Sequence, residues 1–170
     1  MLQRSSRVLA LILVLMCSLL GCQASDKNIK TASAVVTNIL TVPHAAVEEA
    51  ISEEADDVNA LHEAYHQVMG EYVAKDDDGV FIWWQTLTGY SSSWNFSIEV
   101  DNLTVQLKET TDAFSVYNFQ AAATITTADQ AEHAVEFSGV VQLTSDGKAD
   151  YMNLYGSGMD MIDSIVSQPL

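Results

Sequence analysis

Between Pro43 and Lys75 the apolar residues Val47, Ile51, Val58, Leu61, Tyr65, Val68 and Tyr72 recur at steps of three, four and seven. That spacing is the buried stripe of an amphipathic helix. Thr41 offers a capping hydroxyl and Pro43 suits a first turn, while the run from Lys75 through Asp76, Asp77 and Asp78 to Gly79 ends the period. Glu53, Glu54, Asp56 and Asp57 crowd the middle, so the stretch reads either as one helix or as two with a bend near Ala55.

After Gly79 the period shortens to two and β-branched and aromatic residues dominate. Val80–Thr88 reads as a strand with both faces apolar, followed by a turn over Gly89–Ser93. Trp94–Leu107 reads as one long bent strand or two short ones, with Asp101 and Asn102 at the bend. Strands are expected over Phe114–Thr126, Ala134–Thr144 and Tyr151–Tyr155, with Glu109–Asp112 as a turn and a polar loop over Ala128–Glu132. Asp146-Gly147 marks a tight hairpin, because both residues tolerate positive φ. Met159–Val166 closes the chain with a short helical turn. Helix first and consecutive antiparallel hairpins afterwards predict an α+β domain: one N-terminal helix, or two, packed on a strongly curved antiparallel sheet in a cone-like roll.

The chain before this domain reads as address label and tether. Arg4 and Arg7 precede an unbroken apolar run over Leu9–Leu20, too short to span a bilayer and suited to a signal-peptide core. The run ends in Leu19-Leu20-Gly21-Cys22, which resembles a bacterial lipobox with Cys22 as the lipidated residue. The resemblance implies a signal peptide over 1–21 and an acylated Cys22, then a tether over 22–42 and a domain over 43–170. Gln23, where an Asp would commonly retain such a lipoprotein at the inner membrane, points to the periplasmic face of the outer membrane. Two or three acyl chains would anchor the chain to the bilayer without spanning it. Residues 23–34 read as flexible linker, and Val35–Val42 as an edge strand or a helical turn.

Charge narrows the partners. The 170-residue chain carries a net charge of −16. Its two arginines lie in the signal, leaving Lys27, Lys30, Lys75, Lys108 and Lys148 as the cations beyond it. Phosphate contact requires Lys and Arg in number, so nucleic acid is excluded as a partner. The same acidity is expected to repel anionic headgroups and hold the domain off the bilayer surface. Cys17 falls in the signal, so stability after processing rests on the core rather than on disulfides.

A second resemblance is carried by Val135–Leu143, the Asp146-Gly147-Lys148 turn and Tyr151–Tyr155, with Phe96–Leu103 and Phe114–Ile125 as the preceding strands. This pattern resembles the C-terminal half of the nuclear transport factor 2-like superfamily, in particular its polyketide-cyclase-like branch. It covers roughly the last 75 residues. The short strand that the family places between its early helices has no counterpart here. The resemblance implies a cone-shaped apolar pocket and, in the enzymes of the branch, a pocket acid–base pair.

Chemistry is spelled out sparsely. His62-Glu63-Ala64-Tyr65-His66 satisfies H-E-x-x-H: the imidazoles, four residues apart on a helix, would share a Zn²⁺ and Glu63 would deprotonate its water. Gly70 is misplaced for the extended protease form and no later helix supplies a third ligand, so His62 reads as core-side within the stripe, His66 as boundary and Glu63 as solvated, with no metal or other cofactor expected. Asp76-Asp77-Asp78-Gly79 fails calcium-loop spacing and reads as a solvated helix end. The aromatic group Trp83, Trp84, Tyr90, Trp94 and Phe96 forms core, a pocket or a homodimer surface, and Tyr65, Trp84 and Trp94 are the ligand-binding candidates. The expected function is a lipid-anchored periplasmic binding or scaffold lipoprotein taking a small apolar ligand or a protein partner. The alternative is an enzyme, either a polyketide-cyclase-like isomerase or dehydratase, or a zinc hydrolase using His62 and His66.

Overall fold

The computed structural model describes residues 27–44 and 58–168. Residues 27–40 form the first helix, α1. Ala32, Val35, Val36, Ile39 and Leu40 are all fully buried, at the three- and four-residue steps of one helix face. The tether expected over 22–42 is therefore, over residues 27–40, a helix with one face packed in the core. Magnitudes explain why. Burying each valine, isoleucine or leucine contributes roughly 1.5–3 kcal/mol, against at most about 0.7 kcal/mol of helix penalty for a β-branched residue. Past α1, Val42 bridges Ile98, the two residues exchanging backbone hydrogen bonds of 3.3 and 2.8 Å.

The long helix expected over 43–75 is described from residue 58. Helix α2 spans Val58–Met69 and buries Ala64, Tyr65 and Met69, with Leu61 and Val68 half-buried. The expected bend near Ala55 lies outside the described residues. Tyr72 and Ala74 then run beside the last strand, through bonds from Ala149 N–H to the Tyr72 carbonyl and from Ala74 N–H to the Ala149 carbonyl, each 2.8 Å.

Helix α3 spans Asp78–Trp94 and replaces both the strand expected over Val80–Thr88 and the turn over Gly89–Ser93. Its buried residues are Val80, Trp84, Leu87, Thr88 and Ser91, a helical period hidden within a segment that is apolar on both sides. Trp83, the off-face tryptophan, still finds the sheet, donating its indole N–H to the Met152 carbonyl at 3.0 Å. The helix ends at Asn95 in the left-handed conformation (φ 52°), its N–H bonded to the Ser91 carbonyl.

Four strands follow: β1 (Ser97–Thr110), β2 (Phe114–Thr126), β3 (Glu132–Thr144) and β4 (Ala149–Tyr155). They form an open antiparallel sheet in the order β1-β2-β3-β4. Bulges interrupt β1 between Val100 and Asn102 and between Leu107 and Glu109, adding bend and twist. Tyr117, Phe119, Ala121, Ala123 and Ile125 of β2 and Val135, Phe137, Val141 and Leu143 of β3 point inward, the alternation that the sequence shows. The β3–β4 turn sits on Gly147, with φ at 79°. Helix α4 (Ser157–Val166) closes the chain, burying Gly158, Ile162 and Ile165. The protein is thus an α+β fold, helices followed by a curved, open, four-stranded antiparallel sheet.

Candidate functional site

Among the described residues, aromatic side chains from two helices and from the segment after α1 gather in the interior. Tyr65 from α2 and Trp84 from α3 meet edge to face, with ring centroids 5.2 Å apart. Phe81, one turn before Trp84, closes on both, at 5.0 Å from Tyr65 and 6.3 Å from Trp84. His44, just past α1, stacks on Trp84 with ring centroids 5.8 Å apart.

Hydrogen bonding in this box is incomplete. His44 bonds to the backbone of Asn38, whose carbonyl belongs to the last turn of α1 and lacks an intrahelical donor. A carbonyl only accepts, so the imidazole donates. The other nitrogen, Nε2, is buried and has no partner among the described residues. The same holds for the indole Nε1 of Trp84 and the hydroxyl of Thr88, one helical turn further along α3. Trp84 is fully buried and Thr88 is 2 % exposed. Burial holds the His44 imidazole below its ordinary titration range, outweighing the Asn38 bond that favours the charged form.

Asp77 lies on the edge of this box. It is 7 % exposed and accepts a hydrogen bond from the Tyr65 hydroxyl. Burial pushes the Tyr65 phenol well above its ordinary range, and the Asp77 carboxylate adds to the shift. The run Asp76–Asp78, read from the sequence as a solvated helix end, thus holds one buried carboxylate. The sequence pattern marks neither His44 nor Thr88, and it places Asp77 only in a solvated run. His44 stands alone beside a proline, and nothing in its spacing marks it as facing Trp84.

Of the three ligand-binding candidates, Tyr65 and Trp84 come together and Trp94 does not. Trp94 sits at the far end of α3, about 15 Å along the axis from Trp84. It packs edge-on against Tyr90 at 5.7 Å and lines an open cleft of about 590 Å³ with Asn95, Asp129, His133, Met161 and Gln168. Asp129 in that cleft is held below the usual carboxylate range, first by the Thr127 hydroxyl and then by the backbone at Ala131.

The H-E-x-x-H residues lie on the outside. His62 and His66 are exposed, with ring centroids 6.1 Å apart, and Glu63 is exposed beside them. His62 stacks flat on Phe81 at 4.2 Å. The expectation that His62 lies within the buried stripe is corrected: the stripe runs through Leu61, Ala64, Tyr65, Val68 and Met69, and His62 covers Phe81 from the solvent side. Among the described residues no group of three or more His, Cys, Asp or Glu side chains is placed to hold a metal ion. Nor is any described helix long and apolar enough to cross a membrane. Cys22 lies outside the described residues.

No protein-family model and no curated protein matches the chain. Among solved structures it is similar to a Catenulispora acidiphila protein in complex with S-DNPA, at 13 % identity and a TM-score of 0.38 over 69 % of this chain and 98 % of that one. A second Catenulispora acidiphila structure gives a TM-score of 0.37 at 13 % identity, covering 69 % of this chain and 93 % of that one. Aln2 from a Streptomyces species gives 0.34 at 12 %, covering 71 % of this chain and 97 % of that one. Scores of this size carry no inference about activity.

Proposed function

We propose that the chain is a lipid-anchored binding lipoprotein whose nuclear transport factor 2-like roll takes a small, largely apolar molecule between helices and sheet. The carrying observation is the set of three buried polar groups, His44 Nε2, Trp84 Nε1 and Thr88 Oγ1, unpartnered among the described residues and set in an aromatic box. A buried polar atom without a partner costs about 1–3 kcal/mol. A ligand offering one acceptor to the indole and one donor to the imidazole would recover that cost, and its apolar body would pack on Tyr65 and Phe81. The lipobox at Leu19–Cys22 supports the anchor and the outer-membrane, periplasmic location.

The experiment is native mass spectrometry of the gently purified protein, with Nile red titration followed by tryptophan emission. A co-purified organic mass, and a saturable response weakened in Thr88→Val and Trp84→Phe, is the expected result. A bare chain mass with no saturable response in folded protein would overturn the reading.

One observation favours a second reading, an acid–base isomerase or dehydratase. Burial disfavours the charged imidazole of His44, one nitrogen is held by the Asn38 carbonyl and the other has no partner among the described residues, the arrangement of a general base. Under this reading His44→Gln abolishes conversion of a bound ligand. Under the binding reading the ligand released from wild type and variant is identical.

A further inference from the structure

The fold gathers charge that the sequence scatters. Five lysines are the cations beyond the first 26 residues, at positions 27, 30, 75, 108 and 148. Three of them, Lys27, Lys30 and Lys148, line one cleft of about 420 Å³ between the start of the described part of α1 and the β3–β4 hairpin. The cleft is built rather than incidental. Lys148 donates its ammonium to the Glu71 carbonyl, which holds the side chain at the rim. Gly147 packs so closely on Asn28 that a Cβ there would lie 2.8 Å from its amide oxygen. Of the two carboxylates at the cleft, that of Asp146 is engaged by the Thr144 hydroxyl and that of Glu71 is exposed. The cleft is net positive on a chain of charge −16.

Its place along the chain matters as much as its charge. Helix α1 is in the core from its first described turns, so few residues separate Cys22 from the folded body. Four residues lie between Cys22 and Lys27, and the five steps from one to the other span at most about 18 Å however they are arranged. We propose that the cleft lined by Lys27, Lys30 and Lys148 receives the phosphodiester of an anionic phospholipid headgroup and so turns this end of the domain toward the bilayer. The location rests on the Cys22 anchor of the preceding reading; the chemistry of the cleft does not. The acidic remainder is repelled by the same surface, so attraction at the cleft and repulsion elsewhere favour one orientation. Each lysine near an anionic surface favours the docked state about fivefold.

The test is amine acylation of the full-length processed protein, read lysine by lysine in a mass spectrometer, on vesicles of phosphatidylcholine with and without phosphatidylglycerol. Lys75 and Lys108, both exposed, are internal controls. The expected result is about fivefold or greater protection of Lys27, Lys30 and Lys148 on the anionic vesicles alone, with the controls unchanged. In Lys27→Gln/Lys30→Gln the protection of Lys148 is expected to disappear. Equal labelling of all five lysines would overturn the proposal, as would equal protection on neutral vesicles, which mere tethering would give. Protection by inorganic phosphate alone, with none added by vesicles, would overturn the lipid source. Intact mass reports the anchor separately. If no acyl chains are found, the anchor reading fails, and the unanchored chain must still show protection on anionic vesicles for the headgroup site to stand.

Discussion

Tyr65 on α2 donates its phenolic O–H to the carboxylate of Asp77, the residue from which α3 starts. An aspartate at that position ordinarily caps its own helix. Here no side-chain cap bond forms; the Asp77 carbonyl takes the N–H groups of Val80 and Phe81, at 2.7 and 3.0 Å, and the carboxylate turns to the neighbouring helix. One buried bond therefore ties the middle of α2 to the first turn of α3. It also sets the angle at which Tyr65 meets Trp84.

Removing the phenol should expose that dependence. Tyr65→Phe keeps the ring and strands the carboxylate, a loss of about 1–3 kcal/mol, or several degrees in Tm at about 2–4 °C per kcal/mol for a chain of this size. Asp77→Asn keeps an acceptor and should lose less. The pH dependence follows from the raised phenol. In the folded protein Tyr65 stays protonated, while unfolded tyrosine releases its proton near pH 10.0. Its stabilisation is complete below that value and declines above it. Thermal unfolding of the wild type should fall off above about pH 10 more steeply than that of Tyr65→Phe. Parallel curves would show that Tyr65 is solvated.

His44 acts at the other end of the scale. Its folded titration lies below the ordinary 6.5, so the unfolded chain takes up the proton first as pH falls. The stabilisation is present above about 6.5 and is lost on acidification. His44→Phe keeps a ring on Trp84 and removes the titration; its Tm should change less than that of the wild type between about pH 7 and 5.5. An NMR titration should place the His44 midpoint below 6.5, and a midpoint at or above that value would place His44 in water.

The exposed histidines themselves should do little with metal. His62 and His66 offer two nitrogens on one exposed turn, and among the described residues no third ligand approaches. Protein purified without chelator is expected to carry the same low zinc content as His62→Ala/His66→Ala. Stoichiometric zinc in the wild type alone would revive the hydrolase reading.

How much of this was legible in the residues depends on what each segment's pattern excluded. The strands Phe114–Thr126, Glu132–Thr144 and Ala149–Tyr155 alternate cleanly because one face meets the core and the other water, and a turn as explicit as Asp146-Gly147 pins their register. Val80–Thr88 offered no such contrast. Apolar side chains cover the segment all round, since Trp83 reaches the sheet and Phe81 is roofed by His62, and with both periods satisfied β propensity pointed the wrong way. Residues 27–40 hid for a related reason: Ile29, Val35, Val36 and Ile39 suit strands, and only burial against the rest of the fold makes them helical. The site was half legible. Tyr65 advertises itself as a large aromatic on a helical face, and Trp84 as one of a run of aromatics, though on a segment whose pattern suggests a strand. His44, Asp77 and Thr88 acquire meaning only through neighbours distant in sequence.

Two glycines test the corrected helix and the sheet against each other. Gly89, expected from the sequence in a turn, lies inside α3, and a Cβ built there meets nothing within 4 Å. In a helix interior Gly→Ala gains roughly 0.5–1 kcal/mol, chiefly by restricting the unfolded chain. Gly139 in β3 is the opposite case: its Cβ would lie 2.0 Å from the Asn153 carbonyl oxygen and 2.7 Å from the Phe119 ring. The first is backbone of the paired strand and cannot yield, so Gly139→Ala should cost about 2 kcal/mol or more through overpacking. Urea unfolding of the two variants beside the wild type should therefore shift the midpoint up for Gly89→Ala and down for Gly139→Ala. A Gly89→Ala variant less stable than the wild type would mean that residues 80–93 are not helical, and the aromatic box built on Trp84 would fall with them.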